Sequence, residues 1–295
     1  MKKIKTNIDL QRMKMLMKMS DNNLKKFLKE FLIKYNYLVI DHENFLIAAG
    51  DSSISLVAHL DTVFVDAYKD KEERDLEFFY DNEQKVLWSP DGMGADDRAG
   101  VYAIMDIIEA GFRPSVIFTL GEEIGGVGAN ELVLYYPNVK EILPNVKFLI
   151  ELDRYGKNDC VFYRCDNNKF TSWVEKYGFI FDLGSYSDIS VLAPAWGIAA
   201  VNLSVGYYDE HSLCERLYID YLLNTISKVK KMIKDCDCGK GPESTIYIPK
   251  KIKINNNNKQ VLCNKCLICK KPVTLKTSVK YGGNYICDTC FSHLV

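Results

Sequence analysis

Five short segments of this 295-residue chain carry side chains able to do chemistry. They are His59-Leu60-Asp61, Gly94-Ala95-Asp96-Asp97, Gly121-Glu122-Glu123, Glu151-Leu152-Asp153 and Glu210-His211. Two imidazoles and several carboxylates, arriving one or two at a time, are what a chain needs to assemble a site for two metal ions. Hard oxygen ligands and borderline imidazoles suit zinc, manganese or cobalt. The chain has four His in all, and two of them fall in this set. In an extended strand residues i and i+2 face the same way, so His59 and Asp61 share a side. There Asp61 can hold the ring nitrogen that a metal leaves free.

The elements around these segments place them at strand ends. Residues 9–34 read as helix, with Leu24, Leu28, Phe31 and Leu32 returning every three or four positions. Tyr37 to Ile40, Phe45 to Ala48 and Ile54 to Ala58 read as short strands, the last running into His59. Phe78 to Tyr80 and Lys85 to Trp88 suggest a hairpin around Asp81-Asn82. After Asp97, the residues Val101, Ile104, Met105 and Ile108 trace a helical stripe that Gly111 ends. Ser115 to Leu120, Lys147 to Leu152 and Ile198 to Val205 read as strands. Helices follow near Ala129 to Tyr136 and along Leu222, Ile226, Val229 and Ile233. Alternating strands and helices predict an α/β three-layer sandwich around a largely parallel, mixed sheet. In such sheets ligands bind beyond the carboxyl ends of strands, where this sequence puts its acids and imidazoles.

The segments HLDTV from His59, GADDRAG from Gly94, GEEIGG from Gly121, ELD from Glu151 and the late His211 resemble the di-zinc exopeptidase superfamily. This group includes peptidase T, bacterial leucyl aminopeptidases and related deacylases. The resemblance runs from about residue 8 to residue 234. It implies that His59 and Asp153 hold one metal, that Glu123 and His211 hold the other, and that Asp96 bridges them. It further implies a cis peptide after Asp96, and Glu122 as the general base. In that scheme two divalent metals, zinc by preference with manganese or cobalt as options, lower the pKa of a shared water. Glu122 takes the water's proton and passes it to the departing amine. Asp61 completes the catalytic set behind His59.

Only 57 residues separate Asp153 from His211, too few for the separate lid of some relatives, and 36 lie between His59 and Asp96. The zinc-exopeptidase-like domain is therefore expected without a lid insertion. Asp rather than Glu at position 153 resembles the aminopeptidases and tripeptidases. The expected activity is hydrolysis of peptide bonds by an aminopeptidase or small-peptide exopeptidase. An N-acyl amino acid deacylase on the same metals is the alternative. A third reading, a non-catalytic binding module on an α/β scaffold, is disfavoured by the intact Glu122. Arg154, Tyr207, Tyr208 and Ser187-Asp188 flank the set and could touch substrate. A salt bridge for Arg154 and an Asx-type turn for Ser187-Asp188 explain these residues as well.

At 47% apolar and 12% aromatic residues, the chain can bury a sizeable core. The N-terminus is basic but lacks the continuous apolar stretch of a signal peptide, and nothing approaches the roughly 20 apolar residues of a membrane span. A cytoplasmic protein without membrane contact is expected. The net charge of −1 is uneven: residues 251–295 hold eight Lys and one Asp. Five of the ten Cys lie in that tail. Cys266-Leu-Ile-Cys269 and Cys287-Asp-Thr-Cys290, 17 residues apart, predict a ribbon with one structural zinc. The domain reading is thus residues 1–235 for the two-metal unit, 236–258 for a linker and 259–295 for the ribbon. The tail's Lys could meet nucleic acid. Few aromatic residues are interleaved with them, so a solvated face used for protein contact or homo-oligomer assembly is preferred. Cys263 and His293 are lesser candidates for the zinc.

Overall fold

The computed structural model describes residues 8–64 and 73–250. In the tail it describes the backbone of strands at Leu262–Lys265, Pro272–Thr274, Ser278–Tyr281 and Asn284–Cys287. The chain divides into two compact units, Met1–Lys250 and Lys251–Val295.

In the first unit, helices α1 (Leu10–Lys18) and α2 (Asp21–Lys34) lead into strands β1 (Leu38–His42), β2 (Phe45–Ala49) and β3 (Ile54–His59). A hairpin β4 (Phe79–Asp81) and β5 (Val86–Trp88) precedes α3 (Ala95–Glu109), β6 (Ser115–Thr119), α4 (Val127–Tyr135) and β7 (Phe148–Arg154). Then come β8 (Asp159–Val161), α5 (Asn168–Glu175), β9 (Ile180–Phe181), α6 (Ile189–Trp196) and β10 (Ala200–Ser204). The unit closes with β11 (Tyr207–Tyr208), β12 (Arg216–Tyr218) and α7 (Ile219–Asp237). In the second unit, Leu262–Lys265 (β13) pairs with Pro272–Thr274 (β14), and Ser278–Tyr281 (β15) with Asn284–Cys287 (β16), both antiparallel.

The principal sheet has eight strands in the order β1-β2-β6-β3-β7-β10-β8-β9. Its centre, β6-β3-β7-β10, is parallel. Strand alternation builds the layers. Leu46 and Ala48 of β2, with Leu56 and Ala58 of β3, join a core with α1, α2, α3, α5 and α7. Phe45, Ile47 and Val57 turn the other way, to α4 and α6. A smaller sheet, β11-β12-β5-β4, stands apart from the large one. The expected three-layer sandwich is the observed architecture.

Residues 9–34 form two helices rather than one. Ser20 breaks the run, holding extended backbone and accepting from Asn23 N–H at 3.4 Å as the cap of α2. The expected closing helix is α7, with Leu222, Ile226, Val229 and Ile233 all buried. Helix α3 is buried nearly all round, packed between the sheet and helices α1 and α7. Gly100 allows this approach: a Cβ there would lie 2.0 Å from the Leu152 carbonyl oxygen on β7. Beyond α7, residues 245–250 lie along the first unit. Thr245 O accepts from Ala199 N–H (2.7 Å), Ile248 O from Asp166 N–H (2.6 Å), and Lys250 N–H donates to Arg164 O (2.8 Å).

Candidate active site

The site lies beyond the carboxyl ends of the parallel strands. His59 is the last residue of β3, in register with Thr119 at the end of β6. Asp153 sits one residue before the end of β7, and Glu122-Glu123 follow β6 within four residues. Asp96 and Asp97 open α3 after Gly94, whose left-handed φ of 74° favours glycine. The Asp96–Asp97 peptide is cis. His211 lies between β11 and β12 with a left-handed φ of 60°, a conformation uncommon for a non-glycine residue.

Asp96 divides its carboxylate between the two imidazoles. Its Oδ1 stands 2.9 Å from His59 Nε2, and its Oδ2 stands 3.1 Å from His211 Nε2. Asp153 Oδ1 flanks His59 Nε2 on the outer side at 3.4 Å, while Glu123 Oε1 flanks His211 Nε2 at 3.0 Å. The order is therefore Asp153, His59, Asp96, His211, Glu123. The five residues expected to bind metal are brought together.

The supporting groups were not all foreseen. His59 Nδ1 lies 3.1 Å from the carbonyl of Asp61, with the Asp61 carboxylate at 3.5 Å. That carboxylate instead accepts from the N–H groups of Glu122 (3.2 Å) and Glu123 (3.1 Å), fixing the Gly121-Glu122-Glu123 turn. Glu215 is buried and accepts from the N–H groups of Met93 (3.0 Å), Gly94 (2.6 Å) and Asp96 (3.0 Å). Tyr207 donates its hydroxyl to Asp153 Oδ1 at 3.0 Å. Beneath the site Ser187 donates to Glu151 and Thr119 to Asp188, with both acids buried. Ser187 and Asp188 are thus interior residues. Arg154 pairs with Asp182 at 2.7 Å, stacks on Tyr155 and makes the expected salt bridge. Asp97, named in the sequence with its segment but given no metal of its own, shares a cluster with His59 and Asp153. The one sequence signal for it was adjacency to Asp96.

Packing so many acids together moves their protons. Burial pushes the Glu122 carboxyl up to about 8, helped by the charges of Asp153, Asp188 and Glu123. Burial and the Asp96 charge raise Asp153 to about 7 against the opposing pull of His59. Burial acts against the charged form of His59, yet Asp153, Asp61 and Asp96 hold it well above the ordinary imidazole range. Hydrogen bonds to Asp96 and Glu123 push His211 up to about 11.

The donor set fits divalent cations. His59, Asp96 and Glu123 form one group, and His59, Asp97 and Asp153 another, with one donor atom from each residue within 4.8 Å of the others. Glu123 Oε1 is buried and faces His211 Nε2 at 3.0 Å, the imidazole being its one close polar neighbour among the described contacts. Asp97 Oδ2 is buried without a hydrogen-bond partner. Buried carboxylate oxygens so placed are what bound cations would satisfy. Cys266, Cys269 and Cys290 lie outside the described residues, and Cys287 is described only as backbone at the end of β16.

No protein-family model matches the chain, and no curated protein matches it by sequence. Solved structures do match. A tripeptidase from Staphylococcus aureus superposes with a TM-score of 0.61 at 16% identity, covering 76% of this chain and 96% of its own. The aminopeptidase PepT from Bacillus cereus gives 0.60 at 16% identity, covering 77% and 98%. This chain has the fold of those peptidases. The TET1 peptidase of Pyrococcus horikoshii, which assembles into a tetrahedron or a large octahedral shell, gives 0.54 at 16% identity, covering 76% and 98%. A chain from Thermotoga maritima described as an endoglucanase and another described provisionally as a peptidase/endoglucanase share the fold too, so architecture alone leaves the bond cleaved open. Among the described residues, no helix is long and apolar enough to cross a membrane.

Proposed function

We propose that the chain is a two-metal hydrolase of peptide bonds, acting as an aminopeptidase or small-peptide exopeptidase. The carrying observation is the division of Asp96 between His59 and His211, flanked by Asp153 and Glu123. His59, Asp153 and one oxygen of Asp96 would hold one cation; His211, Glu123 and the other oxygen would hold the second. Two divalent ions, when bound, lower the pKa of a water between them and polarise a carbonyl. The residues of the chain supply the rest. Glu122 accepts a proton from the attacking water and returns it to the departing amine. Burial raises the Glu122 carboxyl above its ordinary range in the metal-free chain, and a bound cation's charge would draw it back toward the carboxylate form that accepts a proton. Asp61 fixes the Glu122 backbone and orients the His59 ring through its carbonyl.

A free amino terminus suits so acidic a site. Arg98 and Arg154, beside candidate ligands in sequence, pair with Asp21 and Asp182. A substrate carboxylate finds less compensation from those two guanidinium groups, which favours aminopeptidase over deacylase chemistry. We further propose that the second unit is a zinc ribbon held by Cys266, Cys269, Cys287 and Cys290, and that the protein works in the cytoplasm as a homo-oligomer.

A panel of amino-acid amides, tripeptides, N-acyl amino acids and a soluble β-glucan, assayed with zinc, manganese and cobalt, tests the reading. Turnover of amides or tripeptides is expected. Turnover confined to N-acyl compounds would select the deacylase, and glucan cleavage alone would overturn both.

A further inference from the structure

Helices α1 and α2 contribute none of the residues that meet at the two imidazoles. A buried cation nevertheless ties them to the site. Arg98, on the first turn of α3, has no exposure and is the largest fully buried side chain among the described residues. Its Nη1 donates to the carbonyl of Leu60, the residue between His59 and Asp61. Its Nη2 donates to Met19 O at 3.1 Å and to Asp21 Oδ1 at 2.8 Å, at the junction of α1 and α2. The Leu60 N–H is held in turn by Thr119 O at 2.8 Å. The Leu60 peptide is thus fixed at both ends, one by the sheet and one by a guanidinium.

The two sides of that peptide aim the groups on either side of it. His59 projects Nε2 at Asp96 and Asp153, while Asp61 receives the N–H groups of Glu122 and Glu123. A shift of the Leu60 carbonyl rotates both. Asp21 is the acid paired with Arg98, and that pair is largely withdrawn from water. Without the carboxylate, the guanidinium keeps a buried charge and must re-aim toward other acceptors.

We propose that Asp21 and Arg98 are positioning residues that make the α1–α2 hairpin part of the metal site, by setting the Leu60 carbonyl and so the aim of His59. This rests on His59 and Asp153 being metal ligands. The same hairpin provides its own control. Arg12 of α1 pairs with Glu109 of α3 at 2.6 Å, which also fastens the hairpin to α3 but touches no part of the Leu60 peptide. Loss of Arg12 reports hairpin docking in general; loss of Asp21 reports the aim of His59.

The experiment is cobalt(II) titration of the metal-free full-length protein, by calorimetry and visible absorption, on wild type, Asp21→Ala, Asp21→Asn and Arg12→Gln. Thermal unfolding is run in parallel. Asp21→Ala is expected to weaken one of the two steps at the carboxylate–imidazole site by about tenfold, as loss of an outer partner of a ligand does. The thiolate-to-cobalt band of the four-cysteine site, which marks that third step separately, should stay unchanged. Asp21→Asn, which keeps an acceptor for Arg98, should restore most of that affinity. Arg12→Gln should lower the unfolding temperature and leave both steps unchanged. Should Asp21→Ala not fold, Arg98→Lys is judged by the same criterion, because one ammonium cannot span Leu60 O and Asp21 together. A wild type binding two ions besides any held by thiolate, with Asp21→Ala within twofold of it at both, would overturn this inference alone, as would an equal loss in Arg12→Gln. A wild type that binds no cobalt beyond the thiolate site would overturn the two-metal reading, and this inference with it.

Discussion

Asn202 grips the backbone of Asp153 from both sides. Its Nδ2 donates to the Asp153 carbonyl at 2.8 Å, and its Oδ1 accepts from the Asp153 N–H at 3.0 Å. The grip falls where the β10–β7 ladder shifts register, between Asn202 and Ser204. A side-chain amide there stands in for the missing backbone rungs and holds a candidate ligand in place.

Asn202→Ala removes both bonds and leaves a buried N–H and C=O unpaired. At roughly 1–3 kcal/mol for a buried polar group left unsatisfied, the expected loss is about 2 kcal/mol in urea unfolding of the metal-free protein. A change under about 0.5 kcal/mol would show that water or a relaxed strand replaces the amide.

Glu122→Gln should fold and bind metal like the wild type. Its amide cannot accept a proton, so turnover should fall by about 10²–10⁴-fold, the usual contribution of a positioned base. Single-turnover assays with metal content measured on the same sample decide it. Turnover within about threefold of wild type would give the base to another group.

Metal-free protein should lose stability as pH rises. Glu122 at about 8 and Asp153 at about 7 keep protons in the folded state that the unfolded chain has released, so their burial costs more at each step from about pH 5 to 8. His211, raised to about 11, acts in the same direction: its stabilisation is full below the unfolded imidazole pKa and is lost as pH rises through about 11. Bound metal displaces these protons, so its affinity should rise with pH and its binding should release at least one proton per chain near neutral pH. Unfolding temperatures at pH 5.5, 7 and 8.5, with and without zinc, together with calorimetry in two buffers of different ionisation enthalpy, measure both effects. A metal-free stability that climbs over this range would contradict the site's protonation.

Truncation after Lys250 should leave the first unit folded and active on small substrates, because the two compact units divide there. Truncation near residue 240 removes the acceptors of the Ala199 and Asp166 N–H groups and should unfold at a lower temperature. Circular dichroism melts and amide turnover on both fragments provide the comparison. Inactivity of the folded 1–250 fragment would give the tail a share in the site.

His59, Glu122-Glu123 and Asp153 were legible because each follows a local rule, whereas Asp96 and His211 were singled out by the family resemblance. A strand ends, a polar residue follows, and a parallel sheet collects those ends on one side: His59 after Ile54–Ala58, Glu122-Glu123 after Ser115–Thr119, Asp153 at the end of Phe148–Arg154. Hydrophobic periodicity gave α3, α7 and the central strands for the same reason, since a face to be buried must recur at the period of its element. The Ser20 break between α1 and α2 was also local, but the unbroken apolar stripe on either side concealed it.

What holds the ligands in place was hidden. Glu215 reaches Asp96 across 119 residues, Asn202 reaches Asp153 across 49, and Arg98 reaches Asp21 across 77. Nothing in the spacing of a buried Glu, Asn or Arg says which backbone group it will satisfy. That choice is made only when packing removes water from both partners, and each buried donor or acceptor must then take whichever complement the folded neighbourhood offers. The sequence by itself determined the chemistry available at the strand ends; the tertiary structure decided which distant side chains aim it.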